Sequence, residues 1–445
     1  MFVRMGLLML INLVAVRFVR SGLGVESFGI LNAVTGVVHL LTFLGVVLSA
    51  ATQRFLSIAL GENDKIKQNE IFSTSLRISI YFIAFIIVIF ESIGLWFVIQ
   101  HMNYPASEFN SVMWIYQFSI FTFANTIIQV PYLAAIIAHE DIHIFAISTL
   151  SEAILKLIVA LAIPYFAPNR LIIYVGLLLL ISLIPTLIYV IYTNKHYEEC
   201  RSYTRTNQYL RSMLSFSAWT MIGALAGSAL IQGNTLLINV YNGPISNAAF
   251  AIAIQIFVAV SQLGSNVFVA VRSRMIQSYA NKEYDYLNQL FIMSEKALIW
   301  LLPIVCIPLF IWMPDILQLW LGNSDYETIN CSRGMLLSAC VLILSNPITI
   351  IIQATGNVKQ YHLLIEPIIL LSIPASWLLL RAGFSSVYTC YAIFAFCLIA
   401  HFVRLERLKR YYPFVSYLTM LKQIVLPIGY SKEERQFIKS LFIKR

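Results

Sequence analysis

Apolar residues run along this chain in long stretches, and polar residues gather in the short breaks between them. A helix needs roughly 20 apolar residues to cross a bilayer core. On that ruler twelve spans are predicted, centred near residues 5–19, 30–57, 75–99, 112–137, 143–165, 170–193, 213–240, 247–275, 297–320, 335–355, 361–381 and 384–403. The first is short. Connections such as 167–170 and 242–246 are too brief to hold an aqueous domain. The expected organisation is an all-α integral membrane protein with an N-terminal six-helix bundle over 1–193 and a linker over 194–212. A second six-helix bundle over 213–404 and a basic tail over 405–445 complete it.

Composition agrees with the pattern. Length alone would suggest two or three soluble domains, but 59% of residues are hydrophobic and only 11% charged, against roughly 25% charged in a soluble domain. So few charges do not cover a water-facing surface, so most of the outer surface is expected to meet lipid. The mean hydropathy of +0.79 says the same.

Net charge is +9, and ten of the thirty Lys and Arg residues fall in Arg404–Arg445. A basic cluster beside a span is expected to lie on anionic headgroups. No basic domain stands outside the membrane segments, so nucleic acid is not an expected partner. The six cysteines form no CxxC pair and lie mostly in apolar runs, where Cys acts as a small hydrophobe; no disulfide, metal or cofactor is expected. The N-terminal apolar run passes into further spans without a signal-peptide cleavage site.

Orientation follows from the positive-inside bias. With the N-terminus inside, Lys65, Lys67, Lys195, Arg201, Arg205, Arg211, Lys282 and Lys359 fall in cytoplasmic loops, and Arg20, Arg170, Arg333 and Arg381 in outer turns. Both termini are then cytoplasmic.

The chain also repeats itself. Gly24 and Gly45 recur as Gly243 and Gly264, each 219 residues later; Pro131 recurs as Pro347 at 216 and Glu152 as Glu366 at 214. A basic turn follows in each half, Arg54 to Lys65 in the first and Arg272 to Lys282 in the second. Two six-span halves that both start inside predict parallel repeats, and transporters built so keep their substrate site at the repeat interface.

Ionisable residues at membrane depth are costly and point to function. Glu152 and Lys156 share a helix face at i,i+4. They are either a self-satisfied structural pair, or a headgroup-binding lysine with a carboxylate that tunes it or carries a proton. Glu366, at the matching place in the second half, precedes Pro367, where a kink would open backbone groups to a cavity. Glu91 joins Glu152 and Glu366 as a candidate for proton or ion coupling. The cationic candidates are Arg17, Arg54, Arg77, Lys156, Arg272 and Arg274. Several of these near helix ends also read as topology anchors, and Arg77 as a snorkelling side chain. A guanidinium suits bidentate phosphate contact. His39 reads as a packing residue. Asn125, Gln129, Asn234, Asn239, Gln255, Gln262, Asn266, Asn346 and Gln353 form either interhelical glue or a wet lining for sugar hydroxyls. No Walker A loop, HExxH or GxSxG motif is present, and the longest outer connections, 101–110 and 322–333, are short for a catalytic loop.

The run Leu23-Gly24-Val25-Glu26-Ser27-Phe28-Gly29-Ile30, followed by Ser49-Ala50-Ala51-Thr52-Gln53-Arg54-Phe55-Leu56, resembles the opening of bacterial O-antigen flippases. These are polysaccharide transporters of the multidrug/oligosaccharidyl-lipid/polysaccharide (MOP) superfamily. Trp114-Ile115-Tyr116-Gln117-Phe118-Ser119, Val130-Pro131-Tyr132, Ala134 to Glu140 and Asn194-Lys195-His196-Tyr197-Glu198-Glu199-Cys200 extend the resemblance from residue 4 to about 425. It implies a MATE-like fold in the bacterial inner membrane, with two bundles around a cation-lined cavity. The implied substrate is an undecaprenyl-pyrophosphate-linked oligosaccharide, moved to the outer leaflet by alternating access; membrane lipids and polysaccharide polymerase machinery are the other implied partners. The motif match carries over Arg54 directly. Relatives begin some residues earlier, and many continue past a Leu-Pro like Leu426-Pro427 into two more spans, where this chain turns charged; an interfacial amphipathic helix is expected there. Alternatives are a multidrug exporter of the same superfamily, whose cationic substrates a basic cavity would repel, and a membrane polysaccharide polymerase, which the short outer loops disfavour.

Overall fold

A backbone in lipid must satisfy its own hydrogen bonds, and helices do so within one segment. The computed structural model describes residues 2–166, 169–205, 208–322, 325–354 and 358–411, so the tail from 412 onward and the side chains of Asn266 and Gln353 lie outside the described residues. The described elements are helical throughout. They are α1 (Phe2–Leu23), α2 (Val25–His39), α3 (Phe43–Gly61), α4 (Lys65–Ile89), α5 (Leu95–Gln100), α6 (Phe109–Ala138), α7 (Ile142–Ala162) and α8 (Arg170–His196). There follow α9 (Leu210–Ala280), α10 (Tyr284–Ile311), α11 (Met313–Leu321), α12 (Tyr326–Leu344), α13 (Asn346–Ala354), α14 (Val358–Leu370), α15 (Ser372–Arg381) and α16 (Ser386–Tyr411).

Eleven helical stretches among the described residues are long and apolar enough to cross a membrane. One of them, Ala224–Gln262, runs across the boundary between two predicted spans, because α9 is two helices joined through a kink at Gly243. The distribution of side chains fits lipid outside and polar groups inside. Phe85, Val88, Leu187, Ile191 and Ile304 are exposed, while Thr52, Ser73, Thr74, Ser75, Asn234, Asn239 and Asn247 are buried. The chain is a multi-pass membrane protein.

Three predicted spans are redrawn. The single span expected over 30–57 is two helices, α2 and α3, separated by tight turns in which Leu41 N donates to Val38 O and Thr42 N to His39 O. The first span, expected to be short, is the 22-residue α1. The ninth, expected over 297–320, begins at Tyr284 as α10, so Glu295 and Lys296 fall inside the helix, not in front of it.

The repeat is visible in the backbone. Gly24 precedes α2 at φ 88°, ψ 160°, and Gly243 breaks α9 at φ 83°, ψ −175°. This corner of backbone space is open almost only to glycine. A Cβ on Gly45 would stand 3.3 Å from Ile127 Cδ1, and one on Gly264 would stand 2.5 Å from Ile343 Cγ1. Ile127 and Ile343 are 216 residues apart, the same offset as Pro131 and Pro347. Both halves therefore use the same glycine to bring one helix against the same turn of another.

The chain forms two compact units. The first comprises Met1–Ile252, Trp320–Thr328 and Ile373–Thr389; the second comprises Ala253–Leu319, Ile329–Ser372 and the chain from Cys390. In the first unit α6 packs most extensively on α8 and next on α3, around Leu48, Leu56, Ile71, Phe72, Ile136 and Tyr189. The α6–α8 seam is sewn by amides: Asn125 Nδ2 donates to Ser182 O (2.7 Å), Gln129 Nε2 to Thr186 Oγ1 (2.7 Å), and Thr186 Oγ1 to Asn125 Oδ1 (2.8 Å).

Candidate functional site

In the first unit, Glu152 and Lys156 form the ion pair that their spacing predicts, with Oε1 and Nζ 2.7 Å apart. Both lie on α7, which packs against α1. Their side chains keep 26% and 41% of their exposure, so the pair faces a surface or cleft and could be reached by a ligand. His39, read from the sequence as a packing residue, is the last residue of α2 and is exposed. Arg17 on α1 and Arg54 on α3 are also exposed, the latter with its guanidinium 6.0 Å from the Phe55 ring.

Arg77 differs. It is buried, its Nε donates to Tyr203 Oη (3.0 Å), and its guanidinium stands 5.8 Å from the same ring. It anchors the segment after α8. Glu91 lies in a single turn of π-helix, Phe90–Gly94, between α4 and α5, and is exposed while accepting a hydrogen bond from Gln117 Nε2 (3.3 Å). A π-turn widens the helix and is often found at functional positions. Asn239 clamps the connection before α6, accepting from Asn103 N and donating to Asn103 O.

Two segments that carry the family resemblance, Ala134–Glu140 and Asn194–Cys200, meet at one end of this unit. His139 Nε2 stands 2.6 Å from Glu199 Oε1, and its ring stacks on Tyr197 at 3.8 Å and 7°. Tyr197 Oη donates to Asp141 Oδ2 (2.6 Å), as does Tyr192 Oη (3.0 Å). The Tyr197 hydrogen bond, joined by that of Tyr192, holds the Asp141 carboxyl below the usual aspartate range. Burial above all, then the Asp141 bond, pushes the Tyr197 phenol up, so it remains a donor. Next to it, Lys65 Nζ pairs with Glu198 Oε2 at 2.6 Å on the surface. The outcome is a lock between the α6–α7 turn and the end of α8.

The first unit also holds a cavity of about 340 Å³ with charges of both signs, lined by Arg20, Glu26 and Asp325.

In the second unit, Arg272 is exposed and Arg274 partly so, both near the end of α9. Glu366 on α14 lines a cavity of about 360 Å³ together with Phe257, Ser261, Ser345, Asn346, Thr349, Tyr361 and Arg404. Arg404, counted by sequence with the headgroup-bound basic tail, is instead 5% exposed inside the unit. Its Nε donates to Tyr361 Oη (2.8 Å) and its Nη1 to Ser345 Oγ (3.2 Å). Ser345 Oγ also meets His401 Nδ1 at 2.8 Å, and Thr349 Oγ1 meets Tyr361 Oη at 2.9 Å. A signal for Arg404 was present: it continues the stripe Cys390, Ile393, Cys397, Ala400 at i+3/i+4 steps, all buried along α16. Glu295 and Lys296 are likewise buried, in α10. Both lie ahead of the span expected over 297–320, and α10 begins at Tyr284.

The chain is thus a set of long apolar helices with buried charge, and each unit holds a cavity that charged side chains line. The solved structures similar to this chain have that fold. A multidrug resistance MATE family transporter of the MOP superfamily, in its inward-facing conformation, matches with a TM-score of 0.75 at 14% identity, over 92% of this chain and 96% of that one. A MATE structure in complex with MaL6 matches at 0.64 and 14% identity, over 93% and 95%. A MOP superfamily transporter from Pyrococcus furiosus, whose binding pocket is described as reversed in polarity, matches at 0.62 and 15% identity, over 92% and 95%. No curated protein sequence matches the chain. The family model described as polysaccharide biosynthesis protein matches residues 3–272, and the chain belongs to that family.

Proposed function

We propose that the protein is a flippase that moves a polyprenyl-pyrophosphate-linked oligosaccharide, a repeat unit of a surface polysaccharide, from the cytoplasmic to the outer leaflet of the bacterial inner membrane. The family match over residues 3–272 carries this reading; the transporter fold supports it.

The physical problem is desolvation. A sugar chain on a diphosphate loses its water in hydrocarbon without replacement, at several kcal/mol for each unpaired polar group. Polar cavities inside a helical bundle replace that water, and cations stabilise the diphosphate. Lys156, Arg17 and Arg54 are accessible enough to meet it, whereas Arg77 is engaged by Tyr203. Glu152 orients Lys156, and Glu91, Glu152 and Glu366 are the carboxylates proposed for ion coupling. Both termini are cytoplasmic in this reading, the six-span halves act as the two moving bundles, and alternating exposure completes transfer.

Deleting the gene in its host tests the reading. Full-length lipid-linked repeat units accumulating on the inner leaflet, with surface polymer lost, is the expected result. Unchanged polysaccharide with increased drug sensitivity would overturn it in favour of a multidrug exporter.

A further inference from the structure

The Arg404 cavity is not explained by packing. An arginine side chain carries five N–H donors and is never deprotonated in a protein. Tyr361 and Ser345 take two of Arg404's donors, both through neutral hydroxyl oxygens. Arg404 makes no ion pair among the described residues, although Glu366 lines the same cavity. A charge taken out of water without a counter-charge is expensive, and most buried arginines have a carboxylate beside them.

The neighbouring hydrogen bonds hold this arrangement in one sense. Thr349 Oγ1 donates to Ser345 O (2.9 Å), so Tyr361 Oη donates to Thr349 and accepts from Arg404. Ser345 Oγ donates to Val341 O (2.9 Å), so His401 donates through Nδ1 and Ser345 accepts from both His401 and Arg404. The hydroxyls thus fix the guanidinium by its Nε and Nη1 edge and leave its other N–H groups toward the cavity. About 360 Å³ has room for about a dozen waters at roughly 30 Å³ each, or for a phosphate group with a substituent. Besides the guanidinium, the lining offers Ser261, Asn346 and Thr349 as hydrogen-bonding groups and Glu366 as an acceptor.

We infer that this cavity is a binding site for a phosphate group whose ester substituent carries hydrogen-bond donors, a sugar phosphate above all. Arg404 takes the phosphate oxygens as a fork, and Glu366 accepts from the substituent. The sugar part of the inference rests on the polysaccharide reading; the phosphate part rests on Arg404 alone. An aminoalkyl phospholipid headgroup presents the same chemistry, phosphate plus donor, from another source.

The experiment uses the full-length protein in detergent, with unfolding followed by its tryptophan fluorescence at constant ionic strength. Glucose 1-phosphate is expected to raise the melting temperature at concentrations about tenfold below those needed with inorganic phosphate, and glucose to have no effect. Arg404→Gln should abolish the response while leaving the unliganded protein as stable as before or more so, since it removes a buried charge. Arg404→Lys should weaken the response by about tenfold, because an ammonium lacks the fork. Tyr361→Phe, which unties Nε, should weaken it less. In nanodiscs, Arg404-dependent stabilisation by phosphatidylethanolamine over phosphatidylcholine, without a glucose 1-phosphate response, would identify the phospholipid as the source. If Arg404→Gln keeps the full response, or no phosphate probe protects the wild type, the site does not exist. An Arg404-dependent response alongside unchanged export in the gene deletion would retain the site and overturn the flippase reading instead.

Discussion

Glu152 and Glu366 hold matching positions in the two halves of the chain, on α7 and α14, yet their surroundings differ. Glu152 has Lys156 one turn on, at 2.7 Å. Glu366 has Leu370 at the same step, and the cation of its cavity is Arg404, brought from α16. The first half neutralises its acid within one helix, whatever the rest of the protein does. In the second half acid and base come from different helices, and the base is held by hydroxyls. A local pair forms within any one helix, whereas acid and base on separate helices are brought to one cavity only by the fold. The two halves share backbone features, down to the φ of Gly24 and Gly243, while these side chains differ.

Making the halves alike should have the largest effect. Leu370→Lys would place a lysine one turn beyond Glu366, as in the first half, and is expected to abolish export while protein level in the membrane stays near wild type, measured by surface polysaccharide staining beside quantitative blotting. The reciprocal change, Lys156→Leu, strips Glu152 of its partner. With the pair partly exposed, its cost to stability should stay near 1 kcal/mol, and its loss of export should be rescued by Lys156→Arg. Wild-type export from Leu370→Lys would contradict the role given to Glu366, and wild-type export from Lys156→Leu the role given to Lys156.

The repeated glycines give a smaller, purely structural contrast. At Gly264 a methyl group would overlap Ile343 at 2.5 Å, and at Gly45 it would meet the end of Ile127 at 3.3 Å. Gly264→Ala should cost about 1–3 kcal/mol by overpacking, and Gly45→Ala less than that. Thermal unfolding of the two variants in one detergent measures the difference, and a larger loss at Gly45 would contradict the packing assigned to the halves.

These contrasts show what the sequence exposes and what it hides. Spans, the repeat and the Glu152–Lys156 pair are local or periodic, and each was legible. Lipid selects apolar runs directly, and i,i+4 neighbours meet in any helix. The break between α2 and α3 was hidden because residues 40–42 are as apolar as their flanks. Arg404 was hidden by company: it begins a basic cluster, which drew attention from the buried stripe it ends. Asn125 and Gln129 read equally as lining or as glue; only the position of α8 shows that they serve the α6–α8 seam. His139 and Glu199 come together across 60 residues, a distance that no spacing rule spans.

The lock containing those two residues supplies the smallest effect. The native hydrogen bonds of Asp141 depress its folded-state pKa below the ordinary 3.8. Their stabilisation is therefore complete above that value and lost as pH falls through the lower, folded value. Since the Asp141 side chain is 31% exposed, Asp141→Asn should lower the melting temperature only slightly at neutral pH, with the difference from wild type shrinking below about pH 4. A difference that grows on acidification would show the opposite linkage.

Transport itself is the central claim, and a reconstituted system tests it most directly. Purified protein would be placed in vesicles bearing a labelled polyprenyl-diphosphate oligosaccharide in both leaflets, and the label removed from outside by an enzyme that does not cross the membrane. The account predicts that wild-type protein lets the enzyme reach nearly all of the label, whereas Lys156→Ala and empty vesicles stop at about half, the share of one leaflet. Wild-type vesicles that also stop at half, with the protein folded and inserted, would contradict it.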